Sequence, residues 1–333
     1  MNRSRNTGGE NRGGEFRELT PDVVIGSVEE AMDIPFTALA HPLNSYINRV
    51  YELQSGDGTR YISKFYRPGR WSREALEEEH RFVAQCRDDE IPVVAPLTLA
   101  DGSTLGDTDS GISFAVFPKR RGRELEPLCD EDWRRLGRAV GRMHVAGAVE
   151  SAKHRPVLHP DRSTRLHVRQ LLDSDVISAQ HQREFESVCT EILDMICPAF
   201  EDVELQRVHG DCHSGNLLER PGEGILIIDF DDMALGPPVQ DLWMLLPDYA
   251  EKARREINLI LQGYEDFTEF DDRGLRLIEP LRVMRILYFM AWVSIQREDP
   301  MFHQRFPGWG TDAFWRKQIG DLQQQAEVIR THL

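Results

Sequence analysis

The spacing of apolar and polar positions changes along the chain, and each change marks an element. Residues 1–18 are polar and rich in Gly and Arg, contain no apolar grouping and read as a disordered tail. The run Thr20-Pro21-Asp22-Val23-Val24-Ile25 predicts a short helix with Thr20 as N-cap and Pro21 in its first turn. Two strand-like segments, 45–53 and 60–66, flank Gln54-Ser55-Gly56-Asp57-Gly58, a loop with the turn chemistry of a β-hairpin. Over 71–88 the residues Trp71, Ala75, Leu76, Phe82, Val83 and Cys86 recur near helical spacing, and 91–95 and 113–117 read as further strands. After Pro118 the period lengthens. Trp133, Leu136, Val140 and Met143 predict a helix over 133–144, and Phe185, Val188, Ile192, Leu193 and Ile196 one over 182–200. A buried strand is expected at 225–228, and a mainly helical remainder from Val239 on. The expectation is an α+β chain of two lobes: a small antiparallel β-sheet N-lobe over 19–117, and a larger, mainly helical C-lobe over 118–333.

Composition narrows the partners. At 333 residues the chain has room for about two domains. Asp and Glu number 56 against 40 Lys and Arg, a net charge of −16 that repels nucleic-acid backbones and anionic lipid, so neither is an expected partner. Lys119-Arg120-Arg121-Gly122-Arg123 is a local basic cluster, either a solvated loop or a feature near a ligand. Five scattered cysteines without a CxxC pair read as reduced thiols rather than a disulfide or zinc framework. Residues 1–15 lack the apolar region of a signal peptide, and the apolar stretch 286–295 is shorter than the ~18 residues of a spanning helix, so a cytoplasmic monomer is expected.

The chemistry concentrates in His209-Gly210-Asp211-Cys212-His213-Ser214-Gly215-Asn216 and in Ile227-Ile228-Asp229-Phe230-Asp231-Asp232. Two carboxylates and an amide on successive loops offer the hard oxygen donors that Mg²⁺ demands. Asn216 follows Asp211 by five residues, the base-to-amide spacing of the kinase pattern H-R-D-L-x-x-x-N, and Asp229 follows a short strand as the aspartate of D-F-G does. One carboxylate beside an attacking hydroxyl, with an amide and a second carboxylate on a metal, is the division of labour that phosphoryl transfer needs. His209 and His213 around Asp211 also spell H-x-D-x-H, which suits zinc but leaves Asn216 idle, so His209 is expected to shape the loop. Asp231 is expected as a second metal contact or a loop acceptor, Asp232 as solvated, and Asp241 as a brace for the loop.

The chain resembles the bacterial stress response kinase A family, in the aminoglycoside phosphotransferase and choline kinase branch of the protein kinase-like fold. The resemblance is carried by Pro42-Leu43-Asn44-Ser45-Tyr46-x-Asn48-Arg49-Val50-Tyr51, Lys64-Phe65-Tyr66-Arg67-Pro68-x-Arg70-Trp71, Glu78-Glu79-His80 and Phe114-Ala115-Val116-Phe117-Pro118. It continues through Gly137-Arg138-x-x-Gly141-Arg142-Met143-His144, the 209–216 loop, Gly236-Pro237-x-Val239-Gln240-Asp241-Leu242-Trp243-Met244-Leu245-Leu246 and Glu279-Pro280-Leu281-Arg282. It implies a two-lobed protein kinase-like fold and an ATP- and Mg²⁺-dependent kinase that phosphorylates Ser/Thr hydroxyls of protein substrates in a stress response. The alternative is a small-molecule kinase for an aminoglycoside, choline-like or homoserine hydroxyl. By the same resemblance Asp211 is the catalytic base, with Asp229 beside it in catalysis, and Asn216 and Asp229 are the magnesium ligands. Lys64 pairs with the nucleotide's phosphates, Glu79 (or its neighbour Glu78) orients Lys64, and Ser45 contacts the nucleotide. Backbone groups of Ala115 and Phe117 form the hinge at adenine. No G-x-G-x-x-G covers the phosphates; Asn44-Ser45-Tyr46-Ile47-Asn48 stands there instead.

Overall fold

A computed structural model describes residues 16, 18–45, 47–220, 222–297, 299 and 302–332. Most of the expected tail therefore lies outside the described residues, as does Tyr46 of the 42–51 motif. The chain divides into two units. The first comprises the described residues up to Arg73, together with Pro96–Lys119 and those within Gln296–Arg305. Helix α1 (Pro21–Met32) starts as its sequence dictates: the Thr20 hydroxyl accepts from Val23 N at 3.3 Å, and Pro21 gives up no hydrogen bond at the first position. The sheet is antiparallel with strand order β1-β2-β3-β5-β4, formed by β1 (Phe36–Leu43), β2 (Arg49–Ser55), β3 (Arg60–Phe65), β4 (Gly106–Asp107) and β5 (Ser113–Pro118). In the β2–β3 hairpin the Asp57 carboxylate accepts from Ser55 Oγ at 2.6 Å and from Thr59 N at 2.9 Å, so its polar residues build the turn themselves. Val24 and Val28 of α1 join Leu53, Phe65, Phe114 and Val116 of the sheet in one apolar cluster.

Strand β1 was not expected. Its residues are mostly exposed or half-exposed, as suits an edge strand, so no apolar alternation announced it. In consequence the strand expected from residue 45 begins at Arg49, and 44–48 form the turn that follows β1.

The second unit holds Glu74–Ala95, Arg120–Ile295 and Phe306–Leu333. Its elements begin with α2 (Arg73–Asp88), β6 (Arg123–Glu124), α3 (Asp130–Val149), α4 (Arg165–Asp173), α5 (Ala179–Ile196), β7 (Gln206–Val208), β8 (Leu217–Arg220), β9 (Gly224–Ile227) and β10 (Ala234–Gly236). They continue with α6 (Val239–Trp243), α7 (Arg254–Tyr264) and α8 (Ile278–Ser294); α9 (Phe302–Arg305) then belongs to the first unit and α10 (Asp312–His332) to the second. Residues 91–95, expected as a strand, contribute only a single bridge, Val93 to Ile227. Pro92 within the segment and Pro96 directly after it supply no N–H, so the pairing runs only from Ile227 N to Pro92 O at 2.9 Å and from Val94 N to Ile227 O at 3.4 Å.

Helices α3 and α7 touch backbone to backbone. A Cβ on Gly137 would stand 1.9 Å from Ile260 O, and one on Gly263 would stand 2.0 Å from Arg134 O. That contact brings His144, near the end of α3, against Tyr264 at the end of α7, with their rings edge-on at 5.5 Å. Among the described residues no helix is long and apolar enough to cross a membrane.

Candidate active site

The segment after β7 is pinned from beneath by Asp241 at the start of α6. Its buried carboxylate accepts from His209 N at 2.7 Å and Gly210 N at 2.9 Å, and lies 3.0 Å from His144 Nε2. A carboxylate can only accept, so Nε2 carries a proton; Nδ1 of the same ring meets the Tyr264 hydroxyl at 3.0 Å. Burial, with Asp241 nearby, pushes the Tyr264 phenol well up and keeps it a donor. Gly210 has φ +82, and a Cβ there would stand 2.1 Å from Asp232 O, so only glycine fits. Asp241 thus serves as the loop brace that its place in the sequence predicted.

The hairpin β8–β9 sets the rest. Its register pairs Leu217 with Ile227, and Ile228 N donates to Asn216 O at 3.0 Å, which puts Asn216 across from the residue before Asp229. The Asn216 amide nitrogen donates to Asp211 O at 2.9 Å. The amide is thereby oriented, and its Oδ1 has no partner among the described residues. Asp229 has φ 62 and ψ 66, a left-handed conformation uncommon outside glycine, and its side chain is exposed. Phe230 behind it packs edge-on against Phe82 at 5.6 Å. Asp211, Asn216 and Asp229, picked out in the sequence by spacing, are therefore neighbours.

Both histidines serve the loop. His209 Nε2 donates to Ile228 O at 2.9 Å while Nδ1 accepts from Asp211 N at 3.3 Å, which leaves the ring no free nitrogen for zinc. His213 Nδ1 accepts from Gly215 N at 3.0 Å, and its Nε2 lies 3.7 Å from Asp211 Oδ2. Among the described residues no three His, Cys, Asp or Glu side chains are grouped to hold a metal. The oxygen-donor pair Asn216 and Asp229 is of another kind.

The carboxylate of Asp211 has a partner that the sequence reading missed. Arg285, on α8, donates from Nη2 to Asp211 Oδ1 at 2.5 Å and from Nη1 to Asp232 Oδ2 at 3.4 Å. Tyr288 OH donates to Asp232 Oδ1 at 3.2 Å, and the Arg285 guanidinium lies 5.0 Å from the Tyr288 ring centroid. Asp232, expected to be solvated, is instead half-buried in this cluster. Burial pushes the Asp211 carboxyl above its usual range, and the Arg285 guanidinium opposes that shift. The signal that would have found Arg285 is an arginine inside a run as apolar as Ile278–Ser294, which has to find a carboxylate to be tolerated there. Asp231 is buried, and its backbone carbonyl accepts from Arg155, which also donates to Met233 O at 2.8 Å and lies 3.8 Å from Glu79. Both Glu78 oxygens are taken, by Lys153 N at 2.8 Å and His154 N at 2.9 Å, so of the adjacent pair Glu78 is a structural anchor.

The remaining expected residues belong to the first unit. Ser45 lies in the β1–β2 turn, which Asn48 fastens by accepting from Arg67 N at 3.1 Å. Lys64 stands on β3 opposite Val50 and Ala115, buried, with its ammonium 5.3 Å from the Tyr66 ring centroid. Ala115 and Phe117 lie on β5 around Val116, whose carbonyl accepts from Leu97 N at 2.7 Å. In the basic cluster, Lys119 pairs with Glu52 at 2.5 Å and Arg123 with Glu219 at 2.9 Å, so its two ends are ion-paired.

Residues 40–278 match the phosphotransferase enzyme family. Stress response kinase A of Escherichia coli (strain K12) is 38% identical over 317 residues, covering 95% of each chain. The serine/threonine protein kinase RdoA of Salmonella typhimurium is 35% identical over 316 residues, 94% of each. Among solved structures, amicoumacin kinase hAmiN in complex with AMP-PNP, Ca²⁺ and Ami superposes with TM-score 0.72 at 19% identity over 92% of both chains. A microcompartment-associated aminopropanol kinase follows with TM-score 0.66 at 18% identity, over 93% of this chain and 97% of that one. These two share the protein kinase-like phosphotransferase fold with this chain. By a family match over most of its length and relatives aligned nearly end to end, the chain belongs to the phosphotransferase enzyme family and, within it, to the stress response kinase A group.

Proposed function

We propose that this phosphotransferase moves the γ-phosphoryl group of ATP to a serine or threonine hydroxyl of a protein substrate, in a stress response. The observation that carries the proposal is the disposition of oxygens in the 209–229 segment. Arg285 occupies Oδ1 of Asp211 and leaves Oδ2 to an incoming hydroxyl, while Asn216 spends its amide nitrogen on Asp211 O and keeps its amide oxygen for a ligand, one hairpin rung from the residue before Asp229. Asn216 and Asp229 would hold Mg²⁺: an amide oxygen and a carboxylate are hard donors that leave positions for water and phosphate. Bound there, the ion supplies neutralisation of phosphate charge. Asp211 orients the hydroxyl and takes its proton as the new P–O bond forms and the bond from γ-phosphorus to the β-bridging oxygen breaks, releasing ADP. Lys64 sets its ammonium on the phosphates, Glu79 orients it, Ser45 contacts the nucleotide, and the backbone at Ala115 and Phe117 meets adenine.

Support for ATP comes from the similar amicoumacin kinase, solved with AMP-PNP, and support for a protein acceptor and a stress role from the names of the relatives. Radiolabelled ATP incubated with candidate protein substrates tests the proposal: label should enter protein with the native enzyme and not with Asp211→Ala, and equal incorporation by both would refute it. The second reading keeps the donor chemistry and gives the phosphoryl group to a metabolite hydroxyl. It is favoured by the fold neighbours, named for amicoumacin and aminopropanol. Rapid ATP turnover on one metabolite, with none on protein, would establish it.

A further inference from the structure

Helix α8 carries more than Arg285 on the face that meets Asp211. Phe289 and Trp292 follow Arg285 at i+4 and i+7, the spacing of one helix face. Phe289 is 50% exposed. Its ring lies 5.7 Å from that of Trp292, tilted by 30°, and Phe306 stands edge-on to both at 6.4 Å. Core packing does not require a phenylalanine half in water, and Phe289, the exposed ring of this cluster, is the kind of surface that recognises a ligand. The cluster is continuous with the candidate site, because the same helix face begins at the guanidinium bound to Asp211 Oδ1. At 1.5 Å of rise per residue, Phe289 lies about 6 Å and Trp292 about 10 Å along the axis from Arg285. An extended peptide advances about 3.3 Å per residue. A polypeptide whose hydroxyl meets Asp211 therefore reaches the rings with the side chain two or three residues away. Arg285 is compensated by Asp211 and Asp232, so the intervening surface calls for no charged side chain.

We propose that Phe289, Trp292 and Phe306 form an acceptor subsite that selects a large apolar or aromatic side chain two or three residues from the phosphorylated Ser or Thr. The subsite rests on the reading of a polypeptide acceptor given above. The test uses the full chain, ATP and a series of serine peptides identical except for one phenylalanine moved through the three positions on either side of the serine, with an all-alanine reference. The native enzyme should favour phenylalanine at an offset of two or three on one side by about ten-fold in kcat/KM, expressed mainly in KM. Phe289→Ala should reduce that ratio to about one, and Phe289→Leu should restore most of it. Phe289 is half-exposed, so both variants should melt like the native protein. Indifference of the native enzyme to the phenylalanine, or a ratio that survives in Phe289→Ala, overturns the subsite while leaving the kinase reading intact. No label in any peptide, with turnover on a metabolite hydroxyl, overturns the polypeptide acceptor and the subsite with it.

Discussion

Replacing Asp241 by Asn changes one atom and should disarm the site from beneath. The native carboxylate serves three donors: His209 N, Gly210 N and His144 Nε2, at 2.7, 2.9 and 3.0 Å. Oδ2 accepts from two of them and Oδ1 from the third. An amide has a single acceptor oxygen. Placed at the Oδ2 position, that oxygen keeps His209 and His144 but turns an NH₂ toward Gly210 N; reversed, it abandons two donors. At least one buried backbone N–H is left facing a donor, at about 1–3 kcal/mol, and the charge assistance of the surviving bonds is lost as well, for a total of about 2–4 kcal/mol. Asp241→Ala strands all three donors and should cost about 4–6 kcal/mol, a large share of the 5–15 kcal/mol typical of a folded domain. Urea unfolding followed by tryptophan fluorescence reads the stability, with Trp243 on the same short helix as a local reporter. Steady-state kinetics reads the consequence. The N–H that loses its acceptor belongs to Gly210, the residue before Asp211, so kcat for Asp241→Asn should fall about 100-fold under conditions where the protein remains folded. An Asn variant that loses less than about 0.5 kcal/mol and keeps kcat within two-fold would show that the loop is held by something else.

Other outcomes follow from the same geometry. Arg285→Met should lower kcat by about 10- to 100-fold while ATP-analogue affinity, read by calorimetry, stays near native; an equal loss in both would assign the arginine a merely structural part. Burial depresses His167 from 6.5 to about 4, so the folded state favours its neutral ring and the unfolded chain binds the proton first as pH falls. Its contribution is whole above about pH 6.5 and lost by about pH 4, a difference of ~2–3 kcal/mol, so His167→Phe should outlast the native protein in denaturant at pH 4.5 and match it at pH 7.5. Parallel loss of stability in both would remove His167 from the account of acid sensitivity. Gly137→Ala drives a methyl group into Ile260 O on α7 and should lower stability by about 3 kcal/mol or more, read from the urea midpoint; a change below about 1 kcal/mol would mean that the helix pair gives way easily.

What the sequence revealed depended on how local each signal was. That the segments carrying Asp211, Asn216 and Asp229 adjoin is legible because a short hairpin fixes the spacing between loop and turn, and spacing survives in sequence. The N-terminus of α1 and the β2–β3 turn are legible for a similar reason, since Thr20 and Asp57 bond within a few residues of themselves. β1 escaped because an edge strand buries little and shows no alternation. Residues 91–95 differ from the expectation because an apolar run containing Pro92 and ending at Pro96 packs like a strand but pairs over a single bridge. Arg285 escaped because its partners lie 74 and 53 residues away, a distance over which no periodicity runs. Its charge inside an apolar helix was the one available hint.

The most direct test is a crystal structure with a nonhydrolysable ATP analogue and Mg²⁺. The oxygen Oδ1 of Asn216 and a carboxylate oxygen of Asp229 should both lie at about 2.1 Å from the ion, with the Lys64 ammonium on the phosphates and the Asp211 carboxylate on the acceptor side of the γ-phosphate. An ion bound without Asn216 and Asp229, or a nucleotide whose phosphates lie away from Lys64, would contradict the assignment at its root.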